Sequence, residues 1–210
     1  EVLSRCFSTD TSNELMKKKP FEGLMEKGTL VTTTGYTGER GVEVMIDNKK
    51  ANSLWQKAIE SGASPVGLAA RDTLRLEAGM NLYGFEMDEK ISPLECNMSW
   101  TVSLQDKDRN FIGREAFELK KKSGDHNLLK GLLFEDKCIV RSNQEIFFDG
   151  KKNQRGVVTS GTYSPTLKKS IALARIVPSD QEKCFAEVRG KIFTAAIGQP
   201  RFVKEGKIVF

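Results

Sequence analysis

GVVTSGTYSPTLKKSIALARI, residues 156–176, sets two apolar runs on either side of a turn-rich segment. GVVTSG and SIALARI are rich in β-branched and aliphatic residues, and TSGTYSP between them is dense in turn formers. That pattern predicts two strands joined by a loop. The same texture extends to both sides. LKGLLFE, QEIFFDG, CFAEVRG and KIFTAAI recur between Gly, Pro and Asn turns, at spacings of roughly 8 to 15 residues and with no helical pattern between them. From Leu128 onward the chain is therefore expected to form a small antiparallel barrel or sandwich. The boundary is placed in the SGDHN loop, giving a domain over 1–124 and a second over 125–210.

Upstream, helices and strands mix, so the fold class is α+β. The 11–27 stretch carries capping residues and then ELMKKKPFEGLMEKG, which Pro20 should split into two short helical pieces. TLVTTT reads as a strand running into TGYTGERGVEVMID, residues 34–47, where a glycine turn precedes a second strand over 42–46. NKKANSLWQKAIESG places Ala51, Leu54, Trp55, Ala58 and Ile59 on one helical stripe, with Asp47 or Asn48 as cap, Gly62 as stop and Trp55 expected in the core. A second helix is expected over 68–78, a carboxylate-rich loop after it, a strand at TVSLQ, and a third helix in GREAFELKKKSG ending at Gly124.

The composition narrows the function. Hydrophobic content of 39% and charged content of 29% suit a soluble globular chain, and no apolar run is long enough for a membrane span or a signal peptide. The 33 basic and 28 acidic side chains give a net charge of +5. The basic clusters at Lys17–Lys19, Lys120–Lys122, Lys151–Lys152 and Lys168–Lys169 are scattered and lack interleaved aromatics, which points away from nucleic acid. Cys6, Cys96, Cys138 and Cys184 show neither zinc nor disulfide-framework spacing, so reduced thiols are expected. The single histidine, His126, sits in a polar stretch where a solvated imidazole is expected, and a lone histidine weighs against His-dependent triads and most metal sites within the chain.

Two stretches carry the candidate chemistry. In GVEVMID, Glu43 sits inside an otherwise apolar strand and shares a face with Met45, opposite Val42, Val44 and Ile46. A carboxylate beside a thioether can face an apolar slot and accept paired N–H bonds. In GLAARDTLRLEAG, Arg71 and Arg75 are spaced i, i+4, with Asp72 and Glu77 near enough to pair. Such a helix clamps an anion or forms ordinary ion pairs; spacing alone leaves both open.

TGYTGERGVEV, GLAARDTLRLEAGMNLYGFEMDEKISPLE, NFIGREAF and VVTSGTYSPTLKKSIALARI, taken in this order, resemble the glycine cleavage system T-protein, the aminomethyltransferase. The resemblance implies a folate-binding α+β region followed by a C-terminal antiparallel β-barrel, and it runs from Gly35 to Val203. It implies tetrahydrofolate as cosubstrate and the lipoylated H-protein as partner, with no nucleic acid and no membrane. Glu43 matches the family glutamate that recognises the pteridine, Tyr36 the tyrosine beside the folate, and Arg71 an arginine that binds the ligand. Arg75 is then expected in a structural ion pair. The resemblance implies that the family's proposed catalytic aspartate falls upstream of Glu1, where it matches no residue of this sequence, and this stretch alone is expected to be poorly active or inactive. The compartment implied is the cytoplasm in a bacterium or the mitochondrial matrix in a eukaryote. Other readings are a folate-dependent demethylase of the same superfamily and an interaction module. A further one, a folate-binding iron–sulfur maturation protein, would carry a Lys-Gly-Cys-Tyr signature that no cysteine here has.

Overall fold

The computed structural model describes residues 2–149 and 153–210. The Lys151–Lys152 pair and Gly150, which closes the QEIFFDG run, lie outside the described residues. The chain divides into two compact units, Glu1–Asp72 and Thr73–Phe210.

In the first unit, short helices α1 (Val2–Cys6) and α2 (Thr9–Lys17) precede a three-stranded antiparallel sheet of β1 (Gly23–Glu26), β2 (Thr29–Thr32) and β3 (Glu43–Met45). The Ser8 hydroxyl caps α2 by accepting from the Thr11 N–H. The expected second helical piece after Pro20 is instead strand β1. Lys27 and Gly28 both take positive φ, 49° and 80°, and make the tight two-residue hairpin that returns the chain antiparallel onto TLVT. Glu26–Lys27–Gly28 carries no Asn or Asp, so the turn is quiet in the sequence. Val31 is wholly buried, and Leu24 and Val44 pair with it across the sheet on the same side.

Helix α3 (Asn48–Glu60) follows, capped by Asp47, whose carboxylate accepts from the Lys49 N–H at 2.8 Å. Its stripe is placed as the periodicity predicts, but no side chain of α3 is fully buried and Trp55 is 54% exposed. Trp55 is therefore not a core residue of this unit. Periodicity locates a helix and its apolar face; it does not report how much partner surface meets that face. Here α3 packs against α1, which is only five residues long.

Helix α4 (Leu68–Glu77) carries the boundary between the units, and α5 (Arg114–Ser123) belongs to the second. Gly113 and Gly124, both left-handed, bracket α5. TVSLQ is not a strand. Thr101 closes a short 3-10 turn and Val102 is extended, with Val102 and Leu104 half-buried and Ser103 exposed, but none of these residues pairs with a strand. Gly79, just past α4, is irreplaceable by geometry: its φ is +72° and a Cβ would lie 1.4 Å from the Pro200 carbonyl oxygen.

The six runs from Leu128 onward become β4 (Leu128–Phe134), β5 (Glu145–Phe147), β6 (Gln154–Ser164), β7 (Lys169–Ile176), β8 (Lys183–Val188) and β9 (Lys191–Gly198). They close into a barrel of order β4-β7-β6-β5-β8-β9, antiparallel throughout, which removes the free edges a sandwich would keep. TSGTYSP is mostly strand rather than loop. Only residues 165–168 turn, and β6 absorbs TSG as a bulge between Val158 and Ser160. β7 is buried on both faces. Ala172, Ala174 and Ile176 join the barrel core with Leu132, Phe134 and Val158, while Ile171 and Leu173 join a second core with Leu76 and Phe202. A last hairpin, β10 (Val203–Lys204) and β11 (Lys207–Ile208), follows the barrel, and Phe210 beyond it stacks on Phe202 at 5.0 Å.

Candidate functional site

The first unit turns one sheet face outward. The cross-strand rows are Gly23–Thr32–Glu43 and Met25–Leu30–Met45, which alternate with the Leu24–Val31–Val44 row, where Val31 is buried and its two partners half-buried. Met25 and Met45 are 65% and 73% exposed, and Glu43 is exposed beside them. A carboxylate is tolerated in this strand because its side chain points away from Val31. The face it occupies is nonetheless apolar around it.

Glu43 is held. The Thr34 hydroxyl donates to its Oε2, and the Thr32 hydroxyl lies 2.8 Å from that of Thr34. Two residues beyond Thr34, the Tyr36 ring lies under the guanidinium of Arg71, with Cζ 4.5 Å from the centroid. The structure thus joins Tyr36 to Arg71 directly, and the 34–36 segment links that pair to Glu43. This set offers a fixed acceptor, an aromatic face, a cation and flanking thioethers.

Arg75 lies elsewhere. It is buried in the second unit, where Nη1 meets Glu86 Oε2 and Nη2 donates to Ser160 Oγ, each at 2.9 Å. Glu86 is an ion-pair partner of Arg75 that lies outside its own helix. Glu77 is itself buried and accepts from the Ser164 hydroxyl at 2.5 Å and the Thr166 hydroxyl at 2.9 Å. The bulge after Val158 turns Ser160 toward Arg75, so TSGTYSP supplies hydroxyl partners for α4. Sequence reading missed Glu86, Ser160 and Ser164 because their partners lie up to 87 positions away.

Among the described residues no group of three or more His, Cys, Asp or Glu side chains is placed to hold a metal ion, and no helix is long and apolar enough to cross a membrane. His126 is not solvated as expected: it is half-buried, and its Nδ1 is buried without a hydrogen-bond partner. All four cysteines are free, and burial pushes the Cys184 thiol up to about 12.

A helix-flanked antiparallel sheet followed by a closed six-stranded antiparallel barrel defines the class. Residues 1–106 match the family model of the GCVT N-terminal domain, and residues 128–204 that of the glycine cleavage T-protein C-terminal barrel domain. The chain belongs to the glycine cleavage T-protein family. Its structure superposes with a TM-score of 0.83 on the crystal structure of glycine cleavage system aminomethyltransferase T from Bartonella henselae, at 29% identity. The match covers 93% of this chain and 55% of that one, so the chain spans about half the length of that protein.

Proposed function

We propose that this chain contributes the folate-holding sheet and the barrel of a tetrahydrofolate-dependent aminomethyltransferase of glycine catabolism. The observation that carries the reading is Glu43, pinned by Thr34 on an open apolar sheet face beside the Tyr36–Arg71 pair.

These residues fit the cosubstrate. A pterin presents adjacent amide and amino N–H groups, which a single oriented carboxylate can accept in parallel. Tyr36 offers a ring against which a flat heterocycle packs, and Met25 and Met45 offer soft apolar walls. The Arg71 guanidinium suits the carboxylates of a glutamate tail.

In the reaction, the methylene of the aminomethyl group on the lipoyl arm of H-protein passes to the folate nitrogens. The carbon–sulfur and carbon–nitrogen bonds of that group break, ammonia leaves and dihydrolipoyl H-protein remains. This chain's residues bind and orient the folate, and orientation of two reactants supplies much of the acceleration in such a transfer. The H-protein is the proposed partner. Four free thiols suit a reducing compartment, the bacterial cytoplasm or the mitochondrial matrix.

Calorimetric titration of tetrahydrofolate into the chain tests the reading. Glu43→Gln should weaken binding by about 1.5 to 3 kcal/mol, the range for a hydrogen bond to a charged group. Unchanged affinity would remove Glu43 from the site and with it the main support for the reading.

A further inference from the structure

Glu43 is exposed, and an exposed glutamate ordinarily samples several rotamers. Three features fix this one. Thr32 and Glu43 are direct cross-strand partners in the β2–β3 register. Thr34 lies two residues past Thr32, beyond the bend at Thr33 that follows β2. The hydroxyls of Thr32 and Thr34 are 2.8 Å apart, and Thr34 Oγ1 is bonded to Glu43 Oε2.

The direction of this chain of hydrogen bonds is set by chemistry. An ionised carboxylate only accepts, so the single Thr34 proton goes to Glu43. Thr34 then has only lone pairs to offer Thr32, and Thr32 must donate at the 2.8 Å contact. The alternative acceptor for Thr32, the Glu43 carbonyl oxygen, is farther at 3.3 Å. Both hydroxyls therefore point toward the carboxylate, and successive bonds in one direction strengthen each other.

We propose that Thr34, backed by Thr32, is the positioning residue of the folate site. It holds Glu43 in one rotamer, with Oε2 accepting from Thr34 on one lone pair and both oxygens keeping a lone pair for the ligand's N–H edge. Pre-organising the acceptor lowers the ordering cost of binding. The proposal rests on the folate reading above. It adds to that reading that affinity depends on a residue that need not touch the ligand.

The test is a mutant cycle on the full chain, titrated calorimetrically with tetrahydrofolate in deoxygenated buffer, with thermal unfolding measured alongside. Thr34→Val keeps the shape and deletes the donor. It should weaken binding about tenfold, the scale of one charge-assisted bond. Thr34→Ser restores the donor and should bind within about twofold of the parent. Thr32→Val should weaken binding less than Thr34→Val does. In the Glu43→Gln background, Thr34→Val should cost less than about twofold, because the group it positions is gone. A merely structural role would lower the melting temperature and would cost the same in both backgrounds; that result overturns the proposal. If Glu43→Gln weakens binding but Thr34→Val does not, Thr34 is no positioning residue and the folate reading stands. If Glu43→Gln itself changes nothing, the folate reading fails first.

Discussion

Arg75 meets Glu86 at 2.9 Å with side-chain exposures of only 2% and 0%, and each partner is further anchored. Arg75 also donates to the Met80 carbonyl and to Ser160, and Glu86 Oε2 also accepts from the Leu82 N–H. Four residues earlier on the same helix, Arg71 is exposed and stacked on Tyr36. One helix therefore carries two arginines with different work.

Removing one half of a buried pair leaves the other charge uncompensated, which costs about 3–5 kcal/mol. Arg75→Ala should lower the free energy of unfolding, measured by denaturant titration, by an amount on that scale. Arg75→Lys should recover only part of the loss, because a lysine cannot serve Glu86 and Ser160 through one planar fork. Arg71→Lys should leave unfolding within about 0.5 kcal/mol of the parent and weaken folate binding instead. A large stability loss at Arg71 with normal folate affinity would exchange the two roles.

Thiol chemistry should separate the cysteines by burial. Cys96, Cys138 and Cys184 are buried, and burial is the leading cause that raises each thiol above its ordinary range. Raised pKa values keep those sulfurs protonated and unreactive near neutral pH. Cys6 is half-buried on α1. A disulfide reagent at pH 8 should modify Cys6 alone in the folded chain and all four thiols after unfolding. Rapid reaction of Cys184 in the folded state would contradict its placement inside the barrel.

An antiparallel β-rich region is legible in the residues themselves, because six short apolar runs with turn signals and no helical spacing leave only a barrel or a sandwich. The pairing of β4 with both β7 and β9 closes it into a barrel. Features set by distant partners are not legible. TSG resembles a turn in isolation, yet its serine meets an arginine 85 positions away, and the bulge is what brings it there. GLMEKG resembles the end of a helix by propensity, and it becomes a strand because Lys27 and Gly28 turn it onto TLVT. At the candidate site the residue types of Glu43, Tyr36 and Arg71 are legible. The Thr32–Thr34 relay is not, since threonines in a β-branched run read simply as strand formers.

Glu95 makes stability depend on pH in a stated direction. Burial pulls its pKa upward, but the Lys120 ammonium at 2.5 Å and the Asn127 N–H at 3.3 Å outweigh that and hold it below the ordinary carboxylate range. A depressed folded-state pKa contributes stability above the unfolded value, and that stability is lost as pH falls through the folded value. Glu95→Gln should therefore lower the melting temperature at pH 7. The gap to the parent should narrow as pH drops below about 4. An equal gap at pH 7 and pH 3 would mean that the charge is not what Glu95 contributes.

Gly198 and Phe210 supply a prediction whose sign reverses. Gly198 lies on β9 opposite Gly131 on β4, and a Cβ at Gly198 would come within 2.6 Å of the Phe210 ring. That ring cannot retreat freely, because it is stacked on the wholly buried Phe202 at 5.0 Å. Gly198 is not among the glycines of positive φ, so its backbone would accept alanine without strain. Two effects then compete in Gly198→Ala. Reduced freedom of the unfolded chain stabilises by about 0.4–1 kcal/mol, and overpacking against the ring costs about 1–3 kcal/mol. The steric term is larger, so Gly198→Ala should destabilise the parent. In the Phe210→Ala background the ring is gone and only the favourable term remains, so the same substitution should become neutral or stabilising. Equilibrium unfolding of the four proteins in this cycle decides it; an equal cost in both backgrounds would show that Phe210 does not pack over the glycine pair.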